Sequence, residues 1–235
     1  MTVLITGGHG HLGAWIAQHL ARAGQRSILF DLNPVQPDQL TPVSDRIEYV
    51  RGDVLDFPRL ADTIRGRDID GIVHTVGVMG EMVLDNPHHN VRLNIEGTHN
   101  VLELARQFAV PKVVYTGTGA VYSAGSGSAT EDSPTAPADL YGATKLSAEF
   151  LGRQYADAFG FEFRVGRVYF CYGPGKLPSR FIRLYRLVFG ALEGLSDLKL
   201  DRGADQKLDF TYIEDAARGM ALLYQANGPP HTIYN

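Results

Sequence analysis

The segment LYGATK, residues 140–145, places Tyr141 four positions ahead of Lys145. In an α-helix these two positions share one face, one turn apart, whatever their chemistry. A tyrosine titrates near ~10, so it acts as a base at neutral pH only when positive charge nearby favours the phenolate. Lys145 would supply one such charge, and opposite charges at this distance lower a pKa by about 1 to 3 units. The pair is therefore either one face of an ordinary helix or half of an active site. The spacing alone does not decide between these two interpretations.

A glycine-rich turn near the start of the chain has the spacing of a phosphate-binding loop. Gly8, Gly10 and Gly13 fit the pattern G-x-G-x-x-G, and Gly7, Gly10 and Gly13 fit G-x-x-G-x-x-G. Glycines permit the tight turn and let the backbone approach a pyrophosphate, whose charge lies at the amino end of the following helix. The turn follows one predicted strand and precedes a predicted helix. We therefore expect a dinucleotide to bind here.

An acidic residue at the end of the second predicted strand indicates which dinucleotide. Asp31 lies 18 residues past Gly13, where a carboxylate can accept both hydroxyls of an adenosine ribose. It would repel a 2′-phosphate, and the following DLNP segment has no arginine to neutralise one, so we predict NAD rather than NADP. The side chain of His11 either touches phosphate, faces solvent or packs locally. The expected cofactor contacts in the loop are Gly7, Gly10, His11, Leu12 and Gly13.

Short β-branched runs alternate with longer helical stretches, which is typical of βα units on a parallel sheet. The predicted strands span 2–6, 27–31, 47–51, 71–75, 112–118 and 161–168. The predicted helices span 11–23, 57–65, 88–108, 141–159 and 179–190. Strands such as VLI and KVV are apolar on both faces, which suits a sheet covered by helices on both sides. The fold class predicted is α/β, a doubly wound parallel sheet of the Rossmann type.

The chain is long enough for one large domain with a small appendage. We expect an NAD-binding Rossmann domain over 1–168, completed by about 206–225, and a small C-terminal part that covers the substrate over about 169–205 and 226–235. The Gly-, Ser- and Pro-rich stretch 122–140 is either a flexible connection or the rim of an active site.

Composition excludes several classes of function. The net charge of −4, without a clustered run of Lys and Arg, gives no reason to expect nucleic acid or an acidic membrane surface as a partner. The single cysteine, Cys171, excludes an intrachain disulfide framework, and the histidines lack the spaced ligands of a metal site. No stretch reaches the ~18 apolar residues of a membrane span, and no basic region leads an apolar run at the N-terminus. We expect a soluble cytoplasmic protein without a bound metal.

Seven motifs follow one another in a recognisable order. They are GGHGHLG (7–13), GDV (52–54), NIEGTHNVLELA (94–105), VVYTGTGAVY (113–122), YGATK (141–145), YGPG (172–175) and LDFTYIEDAARGM (208–220). Together they resemble the extended short-chain dehydrogenase/reductase group, the NAD-dependent sugar epimerase/dehydratase family, over nearly the whole chain. The resemblance implies that Asp53, with its neighbour Val54, contacts the adenine ring.

The resemblance also assigns the catalytic residues. It implies that Tyr141 takes a proton from a substrate hydroxyl while hydride leaves for the nicotinamide, with Lys145 supplying charge. Thr118 would hold the reacting oxygen, and Asn94 resembles the residue that keeps Lys145 and its proton relay in place. These roles favour the active-site interpretation of LYGATK.

Three departures from the family pattern narrow the expected substrate. Family dehydratases carry an Asp-Glu pair after the catalytic threonine, whereas Gly119 and Ala120 stand here, so we do not expect dehydration. Nucleotide-sugar epimerases commonly have an asparagine where this chain has Phe170 and an arginine where it has Leu208. Without this amide and this cation, the charges of a nucleotide diphosphate would lack partners, which argues against such a substrate. Lys207, next to Leu208, offers a substitute charge.

Sequence alone therefore predicts an NAD-dependent oxidoreductase acting on a secondary hydroxyl of a small, carbohydrate-like, non-nucleotide substrate. The alternative is a sugar or nucleotide-sugar epimerase that retains its cofactor, and a third interpretation is a non-catalytic NAD-sensing scaffold. Family members commonly dimerise through a four-helix bundle, and helices 88–108 and 141–159 resemble the pair that forms it. The final HTIYN resembles a strand after which relatives continue, so either this member is short or a tail is missing.

Overall fold

The structure is a computed structural model that describes residues 2–123, 127–175, 190–194, 208–229 and 231–235. Its strands are β1 (Thr2–Thr6), β2 (Arg26–Asp31), β3 (Ile47–Arg51), β4 (Gly71–His74), β5 (Lys112–Thr118), β6 (Glu162–Val168), β7 (Phe170–Tyr172), β8 (Phe210–Tyr212) and β9 (His231–Tyr234). Its α-helices are α1 (His11–Arg22), α2 (Phe57–Ile64), α3 (Pro87–Gln107), α4 (Leu140–Phe159) and α5 (Ile213–Gln225). Short 3₁₀ helices cover Asp38–Arg46, Gly80–Leu84 and Gly119–Val121.

Seven parallel strands form the main sheet in the order β3-β2-β1-β4-β5-β6-β9. The order reverses between β1 and β4, which pair side by side with Val3 opposite Gly71 and Thr6 opposite His74. In an open parallel sheet, the crevice outside the carboxyl ends of the strands at such a reversal binds ligands. The loops after β1 and β4 therefore border the expected cofactor site.

Successive residues of one strand belong to different cores. Leu4 packs into a core formed with α2, α3 and α4, while Val3 and Ile5 pack into a second core formed with α1 and α5. Side chains alternate between the faces of a strand, so a run that is apolar at every position buries both faces. The predicted fold class, a doubly wound parallel sheet, is confirmed.

The C-terminal region differs from the expectation. Residues 226–235 were expected in the substrate-covering part, but β9 pairs with β6 through Phe163 opposite His231 and completes the main sheet. Strand β7 was not predicted. It pairs in parallel with β8, and the two form a separate small sheet. The predicted helix 179–190 lies almost entirely outside the described residues.

None of the helices in the described part of the chain is long and apolar enough to cross a bilayer.

Candidate active site

The start of α4 brings Tyr141 to the end of β5. Asp139 caps the helix by accepting a hydrogen bond from the Gly142 amide at 2.7 Å. A Cβ on Gly142 would overlap the carbonyl oxygen of Ala120, so glycine here lets α4 approach the 3₁₀ turn that follows Thr118. The side chain of Thr118 consequently lies near enough to the phenol of Tyr141 to lower its pKa.

Burial and hydrogen bonding act in opposite directions on the phenol of Tyr141. Burial raises the pKa of Tyr141, the hydrogen bond with Thr118 lowers it, and Asp139 and Cys171 raise it slightly further. The net pKa of Tyr141 is raised, because removing a phenolate from water costs more than one hydrogen bond returns. The lowering expected from Lys145 and an oxidised nicotinamide together stays a prediction.

Lys145 is buried one turn further along α4, with 4% of its surface exposed. Its Nζ lies 4.2 Å from the centroid of the Tyr115 ring, close enough for a cation–π contact. Burial lowers the pKa of Lys145 to about 7, and the carboxylate of Glu149 opposes that decrease. Lys145 therefore titrates near neutral pH, where a small change in its surroundings alters its charge.

His74, at the end of β4, lies under the same site. Its Nδ1 is 2.6 Å from the hydroxyl of Thr6 and its Nε2 is 3.1 Å from that of Thr98. Burial, and secondarily the charge of Lys145, lowers the pKa of His74 to about 3. The imidazole is therefore neutral, and it ties β1, β4 and α3 together beneath Lys145.

Asn94, on α3, connects the loop after β4 to α4. Its Oδ1 accepts a hydrogen bond from the Val78 amide at 2.8 Å, and its Nδ2 donates to the Thr144 hydroxyl at 2.9 Å and the Val78 carbonyl at 3.2 Å. Thr144 immediately precedes Lys145. Asn94 thus fixes the helical turn that carries Lys145, as well as the loop beside it.

The glycine-rich turn lies at the carboxyl end of β1. Gly7 has a φ of +76°, and a Cβ there would lie 2.6 Å from the Thr75 hydroxyl oxygen. A Cβ on Gly13 would overlap the Gly7 carbonyl oxygen, so both positions need glycine. Gly10 precedes α1, whose first turn has neither a side-chain cap nor an acidic residue. The amino end of α1, where the helix dipole is positive, is suited to an anionic phosphate.

Backbone amides orient the carboxylate of Asp31. The amide of His9 donates to Oδ2 at 3.0 Å, and the amide of Asn33 donates to Oδ1 at 2.8 Å. The imidazole of His9 stacks on Tyr49 with the ring centroids 4.3 Å apart. In the next loop, Asp53 accepts a hydrogen bond from the Leu55 amide at 2.9 Å. Both acids lie at the carboxyl ends of neighbouring strands, β2 and β3.

The remaining predicted cofactor residues have structural contacts of their own. The Nε2 of His11 lies 3.0 Å from the Pro174 carbonyl oxygen, which also accepts a hydrogen bond from the Trp15 indole at 3.1 Å. The ring of His11 therefore joins the phosphate loop to the turn after β7. Leu12 packs on the second core, and Val54 is buried in the first.

Sequence reasoning missed three residues that act on Lys145, namely His74, Tyr115 and Glu149. It also missed Thr98, which bonds to His74, and Arg167, which pairs with Glu149. One signal was present. Glu149 follows Lys145 by four residues, as Lys145 follows Tyr141, so all three share a helix face. Arg167 was also visible as a charge inside an apolar strand, which requires a partner.

No cluster of three or more His, Cys, Asp or Glu able to hold a metal is present among the residues that the structure describes.

A model of the NAD dependent epimerase/dehydratase family matches residues 3–235. The chain belongs to this family. A UDP-glucuronate 4-epimerase from Thermodesulfobacterium geofontis is 30% identical, with 92% of this chain and 69% of that protein aligned. A dTDP-glucose 4,6-dehydratase from Streptomyces antibioticus is 28% identical, covering 100% of this chain and 71% of the relative. Among solved structures, UDP-glucuronic acid 4-epimerase from Bacillus cereus has a TM-score of 0.87 at 26% identity, over 99% of this chain and 76% of that one.

Membership of the epimerase/dehydratase family confirms the predicted resemblance, the enzymatic nature of the chain and NAD as its cofactor. The similar proteins include both epimerases and dehydratases, so membership gives the class of chemistry and not the net reaction. The individual roles of the site residues stay predictions.

Proposed function

We propose that this family member is an NAD-dependent sugar epimerase that retains its cofactor through each catalytic cycle. The observation that carries the proposal is the placement of Tyr141 against Thr118, with Lys145 one turn away, at the carboxyl end of the sheet that also carries the glycine-rich turn. This revises the preference drawn from sequence for a net dehydrogenase, because epimerases are among the most similar relatives.

The chemistry proposed for Tyr141 is acid–base catalysis in both directions. As a phenolate it takes the proton of a secondary hydroxyl, while the C–H bond breaks and the carbon becomes a carbonyl. Thr118 donates a hydrogen bond to the reacting oxygen. After the keto sugar has turned over, Tyr141 returns the proton to the same oxygen. NAD, when bound, accepts the hydride in the first half-reaction and gives it back in the second.

The residues present fit NAD. The first turn of α1 has no acidic residue and lies at the positive end of the helix dipole, and the Gly7–Gly13 contact leaves the backbone open to a pyrophosphate. The carboxylate of Asp31 is oriented by two amides, which leaves lone pairs for the ribose hydroxyls. Lys145 would hold the nicotinamide ribose and stabilise the phenolate of Tyr141.

Dehydration is a poor match to the residues after Thr118. An acid at position 119 would need a Cβ 2.6 Å from Cδ1 of Tyr169, so the aromatic ring excludes a side chain there. Ala120 offers no ionisable group either. This separates the chain from its dehydratase relative and supports epimerisation.

For the substrate, we propose a sugar linked to a nucleoside diphosphate, since the epimerase and dehydratase relatives are named for UDP- and dTDP-linked sugars. A second candidate is a net dehydrogenase of a non-nucleotide carbohydrate. Phe170 and Leu208 favour it, because Phe170 meets Phe210 edge-on at 5.2 Å and Leu208 is 41% exposed, so neither side chain can pair with a phosphate.

The test is to incubate the purified protein with NAD and a panel of UDP- and dTDP-linked hexoses and uronates, alongside the corresponding free sugars, and to analyse the products by chromatography and NMR. We expect a stereoisomer of a nucleotide-linked sugar. Conversion of free sugars alone, with an oxidised product, would favour the second candidate instead.

A further inference from the structure

A buried ion pair lies one turn beyond Lys145. Arg167 Nη2 is 2.7 Å from Glu149 Oε2, and Arg167 Nε lies 3.2 and 3.3 Å from the two carboxylate oxygens. The exposed fractions of the two side chains are 3% for Arg167 and 5% for Glu149. Burying such a pair costs desolvation that its attraction scarcely repays, so the pair is weak evidence of a role in stability. The position of the Glu149–Arg167 pair beside Lys145 points instead to a role in the active site.

Glu149 is placed by α4 and by a glycine of β5. Tyr141, Lys145 and Glu149 follow one another at four-residue intervals and form one stripe of α4. A Cβ on Gly117 would lie 2.6 Å from Glu149 Oε1, so glycine there leaves the space that the carboxylate occupies. Gly117 immediately precedes Thr118. The carboxylate therefore lies at the end of β5, directly beside the proposed site.

The groups that face Lys145 come from three elements. His74 of β4 is neutral, since burial lowers its pKa to about 3. Tyr115 of β5 is neutral because burial raises its pKa well above 10. On α4, burial raises the pKa of Tyr141, whereas Glu149 carries a negative charge that favours the ammonium of Lys145. The charge state of Lys145 thus reflects a competition between burial and Glu149.

Arg167 and Tyr122 hold the carboxylate in place. Arg167 Nη1 donates to the Tyr122 hydroxyl at 2.6 Å, and that hydroxyl donates to Asn235 Oδ1 at 2.9 Å. The guanidinium is thereby fixed between Tyr122 and Glu149. Because its N–H groups are directed at Tyr122 and Glu149, Arg167 holds the Glu149 carboxylate in place.

We propose that Glu149 is a positioning residue whose carboxylate, anchored by Arg167, is the electrostatic partner that keeps Lys145 charged beside Tyr141. The proposal deepens the proposed function and rests on it. Glu149 touches neither substrate nor cofactor in this account. It acts by keeping positive charge available for the phenolate.

The experiment is an NMR titration of the lysine ¹³Cε signals in the NAD-free protein and in Glu149→Gln. The chain has five lysines, so Lys145→Met assigns the signal. Removing the carboxylate leaves burial unopposed, so we expect the pKa of Lys145 to fall by about 1 unit or more. Asp157→Asn is the matched control. It removes a carboxylate from the same helix, about 18 Å away at 1.5 Å per residue, from an exposed pair with His231, and leaves the Lys145 midpoint unchanged.

The pH profile of the epimerase supplies the functional readout. In Glu149→Gln the falling alkaline limb moves to lower pH, and Glu149→Asp, which retains the carboxylate, restores much of the profile. An unchanged or raised Lys145 midpoint in folded Glu149→Gln would overturn the proposal. If Glu149→Gln does not fold because it leaves Arg167 buried without its partner, the double variant Glu149→Gln/Arg167→Gln is titrated instead, and a Lys145 midpoint equal to that of the wild type overturns the proposal likewise. The titration needs neither NAD nor sugar, so it tests the role of Glu149 separately from the epimerase activity. If the Lys145 midpoint shifts but the protein interconverts no sugar, only the proposed function is contradicted.

Discussion

At Tyr141 the phenol is half-buried beside Thr118 and is followed one turn later by Lys145, whose pKa lies near 7. Neither residue is suited to its proposed task by its type alone. A buried tyrosine resists ionisation, and a buried lysine resists protonation. The proposed mechanism needs both charged forms together, because a phenolate and an ammonium stabilise each other.

Tyr141→Phe removes the acid–base group and keeps the ring. We expect the turnover rate to fall by about 10²- to 10⁴-fold, the range for loss of a general acid or base. NAD affinity, measured by calorimetry, should change little. Tyr155→Phe is the matched control, since it removes from the same helix a hydroxyl whose hydrogen-bond partner is His99 at 2.7 Å. Full activity in Tyr141→Phe would remove this residue from the mechanism.

His74 should make the protein sensitive to acid. Its pKa is about 3 in the folded chain and near 6.5 when unfolded, so unfolding takes up about one proton between these values. The free energy of unfolding should therefore fall with pH across that window, by about 1.4 kcal/mol per pH unit at most from this group. Urea unfolding of His74→Gln from pH 6.5 down to pH 4 should show a shallower decline than the wild type. The exposed His88→Gln should keep the wild-type slope, and equal slopes in all three proteins would contradict the assignment.

Single residues differ in how far sequence predicts them. Tyr141, Thr118 and the loop glycines could be predicted because short motifs fix their positions on one element each. The sequence does not show that Glu149, Arg167 and Tyr122 contact one another. They lie on a helix, a strand and a loop, and only folding brings these three elements together. The raised pKa of Tyr141 could not be predicted from sequence either, because burial depends on the complete fold.

At the scale of elements, the contact between α1 and the turn before it depends on missing side chains. A Cβ on Gly13 would overlap the Gly7 carbonyl oxygen and lie 3.0 Å from the Thr75 hydroxyl oxygen. Either α1 or the loop would have to move. Because the same amides are expected to meet the pyrophosphate, packing and cofactor affinity should change together.

Gly13→Ala should accordingly weaken NAD binding by about tenfold or more, which corresponds to about 1.4 kcal/mol, and should lower the free energy of unfolding. Gly219→Ala is the control on another helix, α5, where nothing lies within 4 Å of an added Cβ. It should leave NAD binding unchanged and stabilise the protein by about 0.5–1 kcal/mol, because alanine is the better helix former. Calorimetry and urea unfolding measure both effects. Unaltered NAD affinity in Gly13→Ala would contradict the loop assignment.

The elements with strong hydrophobic patterns were predicted to within a residue or two: β1, β3 and β5 match, and α4 begins one residue before its predicted start. Strand β7 was missed because it has three residues and its partner, β8, lies far along the chain. The placement of β9 was missed for a similar reason, since His231–Tyr234 carries no signal of its neighbour β6.

At the scale of the whole molecule, α3 and α4 pack side by side and leave apolar side chains on the outside. Phe150 is 60% exposed and Phe159 is 52% exposed, both on α4. His99 and Tyr155 bond across the two helices at 2.7 Å and hold them as one unit. We propose that a second copy covers this surface and that the four helices form a bundle.

Sedimentation should therefore give about 51 kDa, twice the chain mass of 25.7 kDa. Phe150→Glu places a charge in the proposed interface and should yield the monomer. Leu222→Glu is the control, because Leu222 is 53% exposed on α5, away from α3 and α4. A wild-type mass of about 26 kDa would rule out the bundle.

The measurement that tests the central claim most directly is an isotope crossover experiment. Substrate deuterated at its carbon-bound positions is mixed with deuterium-free substrate bearing a ¹³C mass tag. The epimerised products are analysed by mass spectrometry while NADH absorbance is followed. A retained cofactor predicts that each deuterium stays with its own sugar and that NADH does not exceed one equivalent per site. Deuterium in the ¹³C-tagged product, or NADH accumulating over many equivalents with an oxidised sugar, would contradict the account and show that the enzyme releases its reduced cofactor.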